Sequence, residues 1–358
     1  MVKRYEQQGL SIVELMVALL LSSFLTMGMV YIFTGNSETF RLTEANARVQ
    51  ESGRMATQLL GRTIRNADFW GCAKPGGDGA KLRSMLYPQE DNDDSDLDID
   101  ALFEGVIGDN DVDGTSFPNV VAGTDTLELG GAANSLIDTN NHTPVNASSI
   151  FLGSDPTGVF EAGEILMISS CEAADMFQVT KLDTGGGGKL VANTGQGKWT
   201  PGNETSTQSD YPEGAKIIRP AKNAYYIREN SEGERSLVLN PMQMQDDGTV
   251  TPGNYAGAEE LVRNVRDLQM EFGRDTTGDD KVDTWSEPYA DADDTLAIRF
   301  SLLVRSSRND VVEEPQTYCY PGWLDCANDT SADFTNAGDN HLYRVYTMTT
   351  SIRNRLGD

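Results

Sequence analysis

The string D-T-T-G-D-D-K-V-D, Asp275 to Asp283, sets oxygen groups at alternate positions: the side chains of Asp275, Thr277, Asp279 and Asp283, with the Lys281 carbonyl between the last two. These are positions 1, 3, 5, 9 and 7 of a calcium loop of EF-hand type, where hard oxygen ligands wrap one ion. Asp280 stands where that loop needs glycine, and Ser286 holds position 12 with Glu287 one place late. The string is therefore weighed as a Ca2+ loop against a plain acidic hairpin turn, with no cofactor required. Asp109, Asp111 and Asp113 in DNDVDG form a thinner version.

Other strings with a chemical look carry less. GGGGK at 185–189 has Leu190 where a phosphate loop needs Ser or Thr, and no strand–loop–helix pattern surrounds it, so it reads as a hairpin turn. His142 and His341 are isolated in sequence, with no adjacent nucleophile or base. No enzyme is expected. The four cysteines, Cys72, Cys171, Cys319 and Cys326, make an even set without a CxxC pair, which points to disulfides in an oxidising compartment and away from zinc. Three connectivities are open. Cys319 and Cys326 enclose YPGWLD, whose Pro321 and Gly322 supply a turn, and pairing them leaves Cys72 for Cys171. That second loop would add on the order of 4 kcal/mol in the chain-entropy model.

The elements that position these groups follow from composition and period. With 28 basic and 55 acidic side chains the chain carries a net charge of -27, which argues against the body binding nucleic acid or an anionic membrane surface. From Leu10 to Phe33 the chain is apolar, with Glu14 its one charged side chain. About 24 helical residues cross a bilayer core of about 30 Å, and Lys3 with Arg4 before them keep that end cytoplasmic. An acid inside such a run costs several kcal/mol and calls for a reason.

Beyond the run, Leu42, Ala45, Val49, Ala56, Leu59, Thr63 and Ala67 keep a helical stripe, so one helix should run to about Asp68, with Gly28, Gly35 and Gly53 as points of bending. After Phe69 the period changes. Apolar segments at 124–131, 164–171, 296–306 and 342–355, set between Gly, Asn and Asp clusters, read as antiparallel strands. The stretch from Glu90 to Asp113 has eleven acids and no base and reads as a solvated loop. The expected fold is α+β: a long spine helix (10–33 in the membrane, 34–68 amphipathic) packed on a mainly antiparallel β body (69–358), after a short leader (1–9).

G-L-S-I-V-E, Gly9 to Glu14, resembles the class III signal of type IV pilins and pseudopilins. The resemblance implies cleavage between Gly9 and Leu10 by a prepilin peptidase, N-methylation of Leu10, and an assembly role for Glu14, which would neutralise the terminal amine of a neighbouring subunit. LVRNVRDLQMEFGRDTTGDDKVDTW (261–285), AIRFSLLVRS (297–306), the closing SIRNR, and Gly71 with Cys72 resemble the PilW-type minor pilins. This implies a protein of the inner membrane, body periplasmic, that later joins a pilus at the cell surface and serves motility. Its partners would be other minor pilins, the major pilin and the prepilin peptidase, in a complex that primes assembly or caps the tip. The alternatives are a type II secretion pseudopilin of J type and a pilus-borne adhesin.

Overall fold

The computed structural model describes residues 11–71, 81–87, 105–117, 119–195, 197–244, 250–255, 257–289, 293–328 and 333–356. Gly9, Leu10, Cys72 and most of the acidic stretch (88–104) lie outside them.

A single helix, α1 (Ile12–Asn66), spans 55 residues without a break. At 1.5 Å per residue it is about 80 Å long. Its buried residues begin only at Val49 and continue as Gly53, Ala56, Leu60 and Ile64, steps of three and four, with Gly61 beside them, which keep one face toward the body. Leu42, placed on the stripe by the sequence pattern, is exposed, and the real stripe passes through Leu60 and Ile64 beside the anticipated Leu59 and Thr63. Two further positions on this face, Gly53 and Gly61, are glycines, which carry no hydropathy signal.

In chain order the strands are β1 (Lys81–Ser84), β2 (Val106–Asp109), β3 (Thr126–Asp138), β4 (Ser149–Phe151), β5 (Ile165–Ser169) and β6 (Ala173–Gln178). Then come β7 (Lys181–Asp183), β8 (Lys189–Val191), β9 (Lys216–Glu229), β10 (Arg235–Met244), β11 (Val250–Tyr255) and β12 (Glu259–Arg263). The last are β13 (Val265–Arg274), β14 (Thr284–Ser286), β15 (Thr295–Arg305), β16 (Thr317–Tyr318), β17 (Thr335–Asn336) and β18 (Tyr343–Ser351). A nine-stranded sheet follows the order β1-β6-β5-β9-β10-β11, with β3, β2 and β12 attached beside it, and a four-stranded sheet has the order β14-β13-β15-β18. Every pairing between these strands is antiparallel except β1 with β6. The fold is α+β. β2 departs from the solvated loop expected there, because Val106 finds a buried place against Leu129 of β3.

Two of the four apolar clusters among the described residues are the largest. One collects Val49, Ala56, Leu60 and Ile64 of α1 with Ile298, Phe300, Leu302 and Val304, which alternate along β15, and with Leu127, Ile227 and Leu237 of the large sheet. The other holds Phe160, Leu166, Ile168, Phe177, Leu190, Tyr211 and Ile217. β9 contributes to both, so its 14 residues tie these two clusters together.

The helix is seated by close approach. β18 presents Tyr346, Met348 and Thr350 at strand period, and the first two lie against Gly53 and Gly61: a Cβ at Gly53 would stand 2.2 Å from the Tyr346 ring, and one at Gly61 2.7 Å from Met348 Sδ. Tyr346 Oη also donates to the Val49 carbonyl at 3.2 Å. Gly53 is therefore a seat for an aromatic ring, where the sequence pattern had offered a bend. At the end of α1, Asp68 takes a left-handed φ of 59° and accepts from Trp70 Nε1 (2.7 Å) and Arg355 Nε (2.5 Å), both ion-pair side chains being nearly inaccessible to water. Asn354 Nδ2 adds a bond to the Ala67 carbonyl at 2.8 Å, so the last residues of the chain clamp the end of the first element.

Asp125 is fully buried. Its carboxyl accepts from the amides of Asp111 (3.0 Å) and Met270 (2.6 Å), joining the segment after β2 to β13. Burial outweighs these bonds and, with Asp111 and Asp267 adding repulsion, pushes its pKa up to about 7. Asp267 is likewise pushed to about 6 by desolvation.

Three outcomes follow. Gly53→Ala should destabilise the protein by about 1–3 kcal/mol through overpacking, whereas Gly35→Ala, with nothing within 4 Å of its Cβ, should hold or gain up to about 1 kcal/mol; thermal unfolding of the detergent-solubilised chain reads both. Asp68→Asn removes the close, buried counter-charge of Arg355, leaving the exposed Asp293 at 3.9 Å, and should cost on the order of 3 kcal/mol, seen as a lowered denaturant midpoint. A folded state that keeps its proton to about pH 7, against about pH 4 when unfolded, loses stability as pH rises across that window, by at most about 4 kcal/mol for Asp125, and is level above it. The urea midpoint should accordingly be higher at about pH 5 than at about pH 8, and Asp125→Asn should shrink that difference.

Candidate functional site

The start of α1 is built by two side chains that serve each other. Ser11 is the N-cap, with extended backbone (φ -71°, ψ 150°), and its hydroxyl accepts from the Glu14 amide at 3.2 Å. Glu14 returns the contact: its Oε2 accepts from the Ser11 amide at 3.0 Å. This reciprocal capping box satisfies two donors that a helix start leaves orphaned. The signal S-x-x-E stands in the sequence, but reasoning from the charge of Glu14 alone passes over it. The acid is thus engaged within its own chain, through one oxygen.

From Ile12 to Phe33 every residue is exposed, including Leu15, Leu19, Phe24 and Phe33, the last at 75%. The run is apolar all round and is long and apolar enough to cross a membrane. Four hydroxyls on it and just past it are satisfied internally: Ser22, Ser23, Thr26 and Thr34 donate to carbonyls three or four residues back, at 2.8–3.0 Å. These four hydroxyls need no water for a hydrogen bond, which suits a medium that offers none. Past it, Arg48 pairs with Glu44 (2.6 Å) and Arg54 with Glu51 (2.8 Å) on the solvent face.

The acidic loop from Asp275 to Asp283 is organised around its own amides. Desolvation opposes ionisation of Asp275, but the N–H groups of Thr277, Gly278, Asp279 and Asp280 donate to its carboxylate at 2.6–3.3 Å and hold its pKa below the usual carboxylate range. Asp283 is lowered by the Thr276 hydroxyl and the amides of Thr276 and Thr277. Asp279 faces Lys281 Nζ at 2.8 Å. The thinner set is dispersed: Asp109 ends β2, the Asp111 amide turns to Asp125, and Asp113 binds Thr115. Among the described residues no group of three His, Cys, Asp or Glu side chains stands close enough to hold a metal ion.

GGGGK forms a 3-10 turn, Gly185–Gly187, between β7 and β8, with Lys189 3.4 Å from Asp183. His142 meets Asp210 at the surface (3.2 Å), and His341 Nδ1 lies 2.8 Å from the Ser306 carbonyl, which can only accept. Cys319 and Cys326 form a disulfide with a Cα separation of 5.8 Å, and Cys171 is also disulfide-bonded. The stapled loop is fastened to the outer face of the four-stranded sheet. Tyr320 Oη donates to the Ser301 carbonyl (3.0 Å), the Gly322 amide donates to Ser301 Oγ (2.9 Å), and the Arg299 guanidinium lies between the rings of Trp285 (4.8 Å) and Trp323 (5.2 Å) while also pairing with Glu271. No local sequence signal announces this clamp, because its parts are dispersed from residue 271 to residue 323.

Residues 224–354 match the family model of PilW, the type IV pilus-assembly protein W. No curated protein and no solved structure matches the chain. The matched interval holds β10 to β18, and with them the sheet and the Tyr346 and Met348 side chains on which α1 is seated. To its N-terminal side the match leaves α1, β1 to β8 and most of β9, and over residues 224–354 the chain is PilW-like, similar to the type IV pilus-assembly proteins of that family.

Proposed function

We propose that the chain is a minor pilin: a structural, non-catalytic subunit held in the inner membrane by α1 with its body periplasmic, processed between Gly9 and Leu10, and assembled with other minor pilins into a complex that primes the pilus or caps its tip. One observation carries this reading. The first half of a continuous helix is exposed on every side and, apart from Glu14 and a few hydroxyls, apolar, while the second half is fixed to the body by Tyr346, Met348 and Arg355. Such a helix is stable only where an apolar medium surrounds it, first lipid and then the helices of other subunits. Charge supports a single copy among unlike neighbours. Residues 69–358 hold 21 basic and 49 acidic side chains, a balance of 21 - 49 = -28, so identical bodies side by side would repel.

Glu14 has two separable roles in this reading. It closes the capping box, and it offers its charge to the terminal amine of a neighbour, an exchange that relieves an acid buried in hydrocarbon. Glutamine keeps the box, since the position accepts Glu or Gln, but removes the charge. Deletion of the gene should lower the number of surface pili, and the wild-type gene should restore it. Glu14→Gln should insert normally yet restore fewer than about a tenth of the pili, and Glu14→Ala should do no better. Full restoration by Glu14→Gln would remove the charge role, and a deletion that spares pili but lowers secretion would move the protein to the pseudopilus.

A further inference from the structure

A cavity of about 260 Å³ opens between α1 and the segment that follows β15. The helix lines it with Arg41, Glu44 and Arg48, and the segment with Arg308 and Asp310; Arg305 borders it as well. Four arginines against two acids make this corner positive, 4 - 2 = +2, on a chain whose total is -27. Arg48 is taken up by Glu44, and Arg305 lies 3.9 Å from Asp339. Arg41 and Arg308 have no ion-pair partner among the described residues, although acids outnumber bases almost two to one. Two uncommitted guanidiniums that share one cavity form a donor set for a tetrahedral oxyanion, because each fork can give two parallel N–H bonds.

We infer that this cavity binds the phosphate of an anionic phospholipid head group at the membrane surface. The inference rests on the proposal that α1 spans the membrane, and it uses the height that this assigns. Arg41 is eight residues past Phe33, about 12 Å along the helix axis, while the polar layer of a bilayer extends about 5–8 Å beyond its hydrocarbon. Side chains of a helix lean toward its N-terminus, so Arg41 leans toward the bilayer and its stem can close the remaining distance by snorkelling. The site is a local exception to the acidity of the body. Without it, the body's net -28 would be repelled from an anionic leaflet.

The test reconstitutes the full chain into vesicles of phosphatidylcholine alone or mixed equally with phosphatidylglycerol, confirms insertion by flotation, extracts it into mild detergent and counts retained lipids by mass spectrometry. The wild type should retain phosphatidylglycerol over phosphatidylcholine by fivefold or more, since one arginine near the surface is worth about fivefold. Arg41→Gln with Arg308→Gln should return the ratio to that of the bulk lipid at an unchanged melting temperature. Arg62→Gln with Arg65→Gln, the same charge change about 30 Å farther along α1, should keep the enrichment. Equal ratios for the two double variants, or no enrichment by a wild type that floats, would overturn the lipid site alone; failure to float with either vesicle would overturn the membrane-spanning reading and the site with it. Displacement of the lipid by millimolar inorganic phosphate would assign the cavity to the free anion, and retention supports the head group.

Discussion

One helix has to satisfy two solvents. From Ile12 to Phe33 α1 is exposed and, apart from Glu14 and a few hydroxyls, apolar, and from Val49 to Ile64 it hides one face in a β body whose sequence is heavily acidic. No single environment suits both halves. The rest of the structure answers that split: β18 and β15 form a floor for the second half, and the body stays off the first.

The floor is narrow because it is made of contact with backbone. Gly53 and Gly61 let Tyr346 and Met348 reach the helix axis more closely than any side chain at those positions would allow. Helical glycine is ordinarily unfavourable by about 1 kcal/mol, so this arrangement exchanges local helix stability for aromatic and thioether packing. The Asp68–Arg355 pair then fixes direction, because it links the end of the first element to the 3-10 turn at Arg353–Arg355. Packing sets how close the helix lies, and the ion pair sets where it stops.

Much of this was legible in the residues, for identifiable reasons. The apolar run, the long helix and the strands at 165–169, 295–305 and 343–351 announce themselves through period and composition, which are local properties. The Ser11–Glu14 box was equally local and was missed because the acid was read only as a charge. Gly53 was misread as a bend, since its role depends on Tyr346, almost three hundred residues away, and a glycine is silent about what approaches it. The Arg299 clamp and the buried Asp125 were invisible for the same reason: their partners come from strands brought together only by the fold. In the Asp275 loop, spacing alone did not reveal that the carboxylates turn inward to their own amides.

The unbroken course of α1 has a mechanical consequence. A pull applied near Glu14 travels along one rod of about 80 Å and meets the body along the length of β18, from Tyr346 through Met348 and Thr350 to the Arg355 clamp at the far end. These contacts are loaded together, in shear. Nothing peels them one after another, so a subunit seated this way resists tension through the sum of its bonds, and the clamp farthest from the pull keeps the rod from sliding out.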